Sequence, residues 1–338
     1  MANILDIAKY AGVSKTTVSK VLNNQYGVNE ETRKKVWEAA RVLNYTPNHA
    51  ARSLVTSRTG VIGVIYDSFD TPVYMNLANH IEAYSKNNGY HAVFCNCNDS
   101  FEAKDKYISY FMGGAADGVI FFGSSKQDRE LILRLKETQY PFVVIENHFE
   151  DLDINNILVD NMEGARNAVS HLIELGHKKI AHITGDISHR VSSDRMNGYI
   201  RALQDANLDF APEYVVYTNA KRGSGTDAVK RLLELDDRPT AIFTFNDIQA
   251  YEVTGYLFKH GYQVPKDFSV VGFDNISEIL NFLPSSIMLT SMEQPLEEMA
   301  KASIEMLLDN MKDGERQPRK KVFETVLVKG KSCDRPVK

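Results

Sequence analysis

Asn3-Ile4-Leu5-Asp6-Ile7-Ala8-Lys9-Tyr10-Ala11-Gly12-Val13-Ser14 runs directly into Lys15-Thr16-Thr17-Val18-Ser19-Lys20-Val21-Leu22, and Asn48-His49-Ala50-Ala51-Arg52-Ser53-Leu54 follows further on. Ile4, Ile7, Ala8 and Ala11 recur at helical spacing and give a short helix one apolar face. Gly12 permits the backbone excursion that ends it, and Ala11 and Val13 are small enough for a second helix to cross closely. Ser14 is placed to cap that second helix. There Val18, Val21 and Leu22 turn inward, leaving Lys15, Thr16, Thr17, Ser19 and Lys20 outward. Asn29 starts a third helix with Glu30 and Glu31 in its positive first turn, and Val36, Ala39, Ala40 and Leu43 close a miniature core. Two helices crossing at a glycine turn, the second presenting hydroxyls and cations, match the chemistry of base edges and phosphates.

Spacing alone fits a three-helix bundle with a solvated face equally well. Charge separates the two. Residues 1–60 hold nine Lys/Arg and four Asp/Glu, a net of +5. The other 278 residues hold the remaining 30 Lys/Arg and 40 Asp/Glu, a net of −10. A basic head on an acidic body concentrates phosphate affinity at one end and favours the DNA reading.

Asp6-Ile7-Ala8, Ala11-Gly12-Val13-Ser14, Thr17-Val18-Ser19-Lys20-Val21-Leu22-Asn23 and Thr32-Arg33, followed by Tyr45-Thr46-Pro47-Asn48-His49-Ala50-Ala51-Arg52-Ser53-Leu54, resemble the DNA-binding region of the LacI/GalR family of bacterial transcription regulators. The resemblance runs almost to the C-terminus. It implies base-edge contacts from Lys15, Thr16 and Lys20, and DNA-backbone contacts from Thr17, Asn23 and Tyr45. Lys20 stands where members commonly carry Arg or His. From Pro47 the chain starts a helix of about three turns, too short to be stable alone in water. By resemblance it orders on DNA beside a partner subunit, and Leu54 wedges into the minor groove, kinking the duplex.

Beyond residue 60 the chain alternates short apolar runs with amphipathic helices. Strands are expected at 61–65, 90–94, 118–122, 142–145, 179–183, 213–217, 241–245 and 268–273, and helices at 75–87, 164–175, 194–206 and 226–235. This is βα repetition, hence parallel, doubly wound sheets. The expected fold is an all-α helix-turn-helix head plus an α/β core of two such subdomains, which by resemblance are like those of a periplasmic sugar-binding protein. The expected domains are 1–46 for the head and 47–59 for hinge helix and linker. An N-subdomain of 60–161 with 290–322 and a C-subdomain of 162–289 with 323–332 complete the core, with crossings near Asp160, Leu289 and Val322.

In such sheets a ligand sits at the C-terminal ends of the strands. Those ends deliver Asp67, Asp70 and Tyr74, then Glu146 and Asn147, then Asn246 and Asp247, then Asp274 and Asn275, with Arg195 in the first turn of a helix. Carboxylates, an amide and a guanidinium together can clasp vicinal hydroxyls, and Tyr74 or Phe245 can cover a sugar's apolar face. By resemblance Arg195, Asn246, Asp274 and Tyr74 bind the effector; Glu146 is added from its position. Loop capping is the alternative for any one of them. Ala220 stands where several relatives place an aromatic ring.

Other chemistries fit these residues less well. Gly223-Ser224-Gly225-Thr226-Asp227-Ala228 has the form of a dinucleotide loop, but Thr218 to Arg222 separate it from the preceding strand. There is no G-x-S-x-G elbow and no H-E-x-x-H. His177 resembles a family structural residue rather than a base. Cys95 and Cys97, with His91 nearby, read as buried thiols on one strand face rather than a metal site. The expected protein is no enzyme, uses no cofactor or metal, and has no membrane-length apolar run, signal peptide or transit peptide, which points to the cytoplasm. Its expected partners are a pseudo-palindromic double-stranded DNA operator, a small-molecule effector that is a sugar, and a second copy as homodimer. Glu305 stands where catabolite-control members carry a basic Arg, against a protein corepressor. The segment 326–338 lacks heptads for a tetramerising coiled coil. A sugar-binding sensor without productive DNA binding is the alternative function.

Overall fold

A computed structural model describes residues 2–22, 26–46, 58–67, 72–98, 100–123, 126–149, 151–276, 288–312 and 317–337. The chain forms two compact units, residues 1–59 and 60–338.

The first unit holds α1 (Ile4–Ala11), α2 (Lys15–Leu22) and α3 (Glu30–Val42). Its core joins Ile7 and Ala8 to Val18 and Val21 of α2 and to Val36, Ala39 and Ala40 of α3. Each helix begins where a side chain takes up an orphan amide. Asn3 Oδ1 accepts from the amides of Leu5 (2.8 Å) and Asp6, while Asp6 returns a carboxylate to the Asn3 amide. This capping box was not anticipated. Asn29 Oδ1 accepts from the Thr32 amide at 2.8 Å. Gly12, at φ 66°, closes α1 in the left-handed conformation.

The second unit contains two six-stranded sheets. The first lobe has the order β11-β5-β4-β3-β1-β2, built from β1 (Val61–Tyr66), β2 (His91–Asn96), β3 (Gly118–Phe122), β4 (Phe142–Ile145), β5 (Asn156–Val159) and β11 (Lys320–Phe323). The second lobe has the order β12-β10-β9-β8-β6-β7, from β6 (Ile180–Thr184), β7 (Val215–Tyr217), β8 (Ala241–Thr244), β9 (Ser269–Asp274), β10 (Thr290–Glu293) and β12 (Val326–Val328). All pairings are parallel except β10 with β12. The inner strands β3, β4, β6 and β8 are buried on both faces, which explains their unbroken apolar runs.

Helices α4 (Pro72–Asn87), α5 (Phe101–Tyr110) and α6 (Arg129–Glu137) serve the first lobe; α7 (Asn161–Glu174), α8 (Arg190–Asp205), α9 (Ser224–Leu233) and α10 (Asp247–Lys259) serve the second. Helix α11 (Leu296–Asn310) returns to the first lobe, and its Met299, Ala300 and Leu307 share a core with Leu77 and Ile81 of α4.

Two expected boundaries need correction. Thr290 to Glu293 pair with Val271 to Asp274, so the second crossing follows β10 instead of falling at Leu289. Thr290-Ser291-Met292-Glu293 has no apolar run; Ser291 is buried because its hydroxyl donates to Asp247 at 2.6 Å. Phe323 pairs with Val159 and belongs to the first lobe, so the third crossing follows it. Most of the expected hinge, 47–59, lies outside the described residues.

Candidate nucleic-acid interface and ligand cleft

Helix α2 starts at Ser14, whose hydroxyl accepts from the Thr17 amide at 3.0 Å and lies 2.8 Å from the Thr17 hydroxyl. Val18 and Val21 are fully buried beneath it. Lys15, Thr16 and Lys20 are exposed, free to face a phosphate or base edge, whereas Thr17 is half-buried against its cap. Tyr45 packs its ring partly onto the same small core. Asn23 and Leu54 lie outside the described residues.

In the second unit the strand ends converge as the topology requires. Arg195, on α8, is only 3% exposed although it carries a charge. Its Nε donates to Asn161 Oδ1 at 2.9 Å, one terminal nitrogen donates to the Phe245 carbonyl, and the other lies 3.6 Å from Asp274 Oδ1. The rings of Phe245 and Phe273 lie 4.7 and 3.6 Å from the guanidinium carbon, holding its plane. Asp274 also accepts from Gln294 Nε2 at 2.7 Å.

Glu146 and Tyr74 come from the first lobe and enter the same electrostatic cluster. Burial pushes the Glu146 carboxyl up to about 7; Arg195 opposes this, and Asp274 and Asp67 add to it. Burial likewise raises Asp274 to about 6 against the pull of Arg195 and Gln294. The Tyr74 hydroxyl is held far above its ordinary range by burial, then by Glu146, Asp67 and Asp274. Glu146 (φ 69°) and Asp274 (φ 113°) adopt left-handed backbone that non-glycine residues rarely take, a strain concentrated at functional sites. Tyr74 packs edge-on to Phe122, with centroids 4.5 Å apart. Behind it, Asp67 is ion-paired by the buried Lys104, which also meets Asp128 at 2.7 Å.

Asn246 stands just past the end of β8 and opens α10. Its Oδ1 caps α10 by accepting from the Gln249 amide at 3.0 Å, so the capping alternative holds for that oxygen. Phe245 is stacked on Arg195 as described, and Ala220 presents only a methyl group. Two cleft residues escaped the sequence reading: Asn161, which orients Arg195, and Gln294, which orients Asp274. Both sit beside a crossing between lobes, which is where a cleft between lobes must be bordered; that placement was the available signal.

The Gly-rich segment is occupied from within. The Glu252 carboxylate accepts from the Gly223 amide at 2.6 Å and the Gly225 amide at 2.8 Å, filling the helix N-terminus that a dinucleotide phosphate would need. His177 lies away from the cleft, in a buried network with Thr240, Ser269 and the Asp334 carbonyl. Cys95 and Cys97 are buried, their thiols pushed up by burial to about 11 and about 12. No helix among the described residues is long and apolar enough to cross a membrane.

Known proteins share this architecture in order. Residues 3–48 match the family model for bacterial regulatory proteins of the lacI family, and residues 169–333 match a periplasmic binding protein-like domain. The HTH-type transcriptional repressor PurR of Aliivibrio fischeri (strain MJ11) is 36% identical over 326 residues, covering 96% of this chain and 95% of its own. PurR of Aliivibrio salmonicida (strain LFI1238) is 34% identical over 324 residues, covering 96% of each. A lac repressor dimer bound to operator and the anti-inducer ONPF superposes with a TM-score of 0.85, at 25% identity over 98% of this chain and 99% of that one. A transcriptional regulator CelR–cellobiose complex superposes at 0.75, with 26% identity over 98% and 100% of the two chains. Transcriptional repressors match this chain along almost its whole length. It belongs to the LacI family of bacterial regulatory proteins and is a DNA-binding transcriptional repressor.

Proposed function

We propose that operator affinity is controlled by a sugar or sugar-derived effector held between the two lobes of the core, in a homodimer acting on a pseudo-palindromic operator in the cytoplasm. The observation that carries this reading is Arg195. A guanidinium 3% exposed, fixed in plane by two rings and brought together with Asp274, Glu146 and Tyr74 from both lobes, is a costly arrangement for stability alone. Hydroxyl groups on a ligand would take up its spare donors and the carboxylate oxygens around it. The solved CelR complex holds cellobiose, which lends support to a carbohydrate in a core of this kind.

On the DNA side, Lys15, Thr16 and Lys20 contact base edges, and Thr17, Asn23 and Tyr45 position the head on the backbone. Paired hinges, 47–59 from each chain, insert Leu54 at the centre of the site. An effector that favours one lobe closure would bias whether the hinges pair, and so couple the two sites. The deciding experiment is a fluorescence-anisotropy titration of a palindromic sequence from the gene's own upstream region, with and without sugars and sugar derivatives. Weakening of a salt-sensitive, specific complex by one sugar establishes an inducible repressor; strengthening establishes corepression. A specific complex indifferent to every carbohydrate removes the sugar from this reading.

A further inference from the structure

Three carboxyl groups crowd the cleft around a single described guanidinium. Glu146 comes from the first lobe, Asp274 from the second, and Asp247 lies beneath them, accepting from Ser291 Oγ (2.6 Å) and the Ile276 amide (2.9 Å). Arg195 already has its positive charge set against Asp274, and only the second hydrogens of its terminal nitrogens are spare. Its Nε and one terminal nitrogen are committed to Asn161 and Phe245, its remaining nitrogen lies against Asp274, and both rings shield its faces. The other buried cation nearby, Lys104, is outnumbered by its own partners Asp67 and Asp128.

What remains open to a ligand is chiefly acceptor oxygen, beside the uncharged donors of Tyr74 and Asn246. Among the described residues the Glu146 carboxylate makes no hydrogen bond. Gln294, 5% exposed, gives its amide to Asp274 and leaves Oε1 buried without a partner. Acceptors of this kind are satisfied by hydroxyl or ammonium hydrogens, whereas an ionised phosphate or carboxylate supplies only more acceptors and more negative charge.

We propose that the cleft selects its effector by charge: it takes an uncharged or amine-bearing molecule and turns away the phosphorylated or acidic form of the same molecule. This rests on the effector reading of the cleft and narrows it. The upward shifts of Glu146 and Asp274 agree with it, since burial makes the charged form of each costly and Arg195 offsets that only in part.

The test is calorimetric titration of the full chain at pH 8 with matched sets: glucose, glucosamine, glucose 6-phosphate and glucuronate; cellobiose and its acidic counterpart; and neutral nucleobases. At least one neutral or amine-bearing probe should bind, with its anionic counterpart at least about a hundredfold weaker. Glu146→Gln should narrow that gap by about tenfold or more; the wild-type comparison decides the matter even if this variant folds poorly. An anionic member binding as tightly as its neutral counterpart overturns the proposal, as does failure of every neutral and amine-bearing probe. Binding of a neutral nucleobase in place of any carbohydrate would remove the sugar reading while supporting selection by charge.

Discussion

A β-carbon on Gly272 would land on the Asp247 carboxylate, so the glycine in β9 is what lets that carboxylate lie against the strand. From there Asp247 takes the Ser291 hydroxyl from β10 and the Ile276 amide from the loop after β9. Ile276 is buried in the first lobe's core, so one carboxylate ties the end of β9 to the neighbouring strand and to the opposite lobe. Gly272→Ala should therefore cost about 1–3 kcal/mol of stability through overpacking. It should also disturb effector binding, because Asp274 and Asn275 follow directly in sequence. Chemical denaturation with calorimetric titration checks both; an unchanged midpoint would mean that Asp247 has another place to go.

Arg195→Lys keeps the charge and loses the planar fork. The ammonium cannot reproduce the bond from Nε to Asn161 together with the contact to Asp274, nor lie between Phe245 and Phe273 as a flat group. The expected outcome is loss of the effector response by tenfold or more, about 1.4 kcal/mol, with effector-free operator affinity unchanged. Anisotropy titrations with and without effector give both numbers. A normal response from this variant would show that the ligand does not use the Arg195 side of the cleft.

Much of this arrangement was legible in the sequence, and the reason differs by element. The caps at Ser14 and Asn29 and the buried strands β1, β3, β4, β8 and β9 depend on local pattern, and they stand where periodicity put them. Arg195, Asp274, Glu146 and Tyr74 could be gathered because a parallel sheet sends its C-terminal loops to one side. Asn161 and Gln294 could not, since nothing local separates an amide that orients a charge from one that faces water. Strand β10 was assigned to the wrong lobe for a related reason: Thr290 and Ser291 are buried through particular partners, and their polarity conceals it.

His177 offers a contrast in which a histidine serves only the fold. Its Nε2 lies 2.9 Å from the Asp334 carbonyl, which can only accept, so Nε2 carries the proton and Nδ1 accepts from the Thr240 hydroxyl at 2.8 Å. Burial lowers its affinity for a second proton, keeping the ring neutral at pH 7. His177→Ala leaves the partners on Thr240, Ser269 and Asp334 unsatisfied and should cost about 1–3 kcal/mol. Urea denaturation measures the loss, and effector and operator affinities of the folded fraction should not move.

Glu146 gives the cleft a pH signature. An acid raised to about 7 by burial binds its proton more tightly in the folded chain than in the unfolded one, where its ordinary value is 4.5. Stability from this group is therefore gained as pH falls from about 7 toward 4.5, and its charged form is a penalty above that range. Glu146→Gln removes the penalty. The variant should melt above the wild type at pH 8, and the two should converge near pH 5. Scanning calorimetry at both pH values decides this, and an equal difference at the two would detach Glu146 from the charge cluster around Arg195.

The operator side is tested by separating reading from wedging. Lys20 is exposed on α2, where its ammonium can reach a base edge, and Lys20→Ala should cost about 1–3 kcal/mol against the preferred operator. It should cost less against a duplex altered at the contacted base pair, so that discrimination narrows there. Leu54→Ala should behave differently. On the proposed reading, loss of the wedge spares the base contacts of each head but no longer compensates for a kinked centre, so specific binding should fall while effector affinity persists. Competitive anisotropy with wild-type and singly altered duplexes, repeated at two salt concentrations, tells the two apart. If Leu54→Ala binds the operator as tightly as wild type, the hinge makes no wedge and the half-site contacts alone carry specificity.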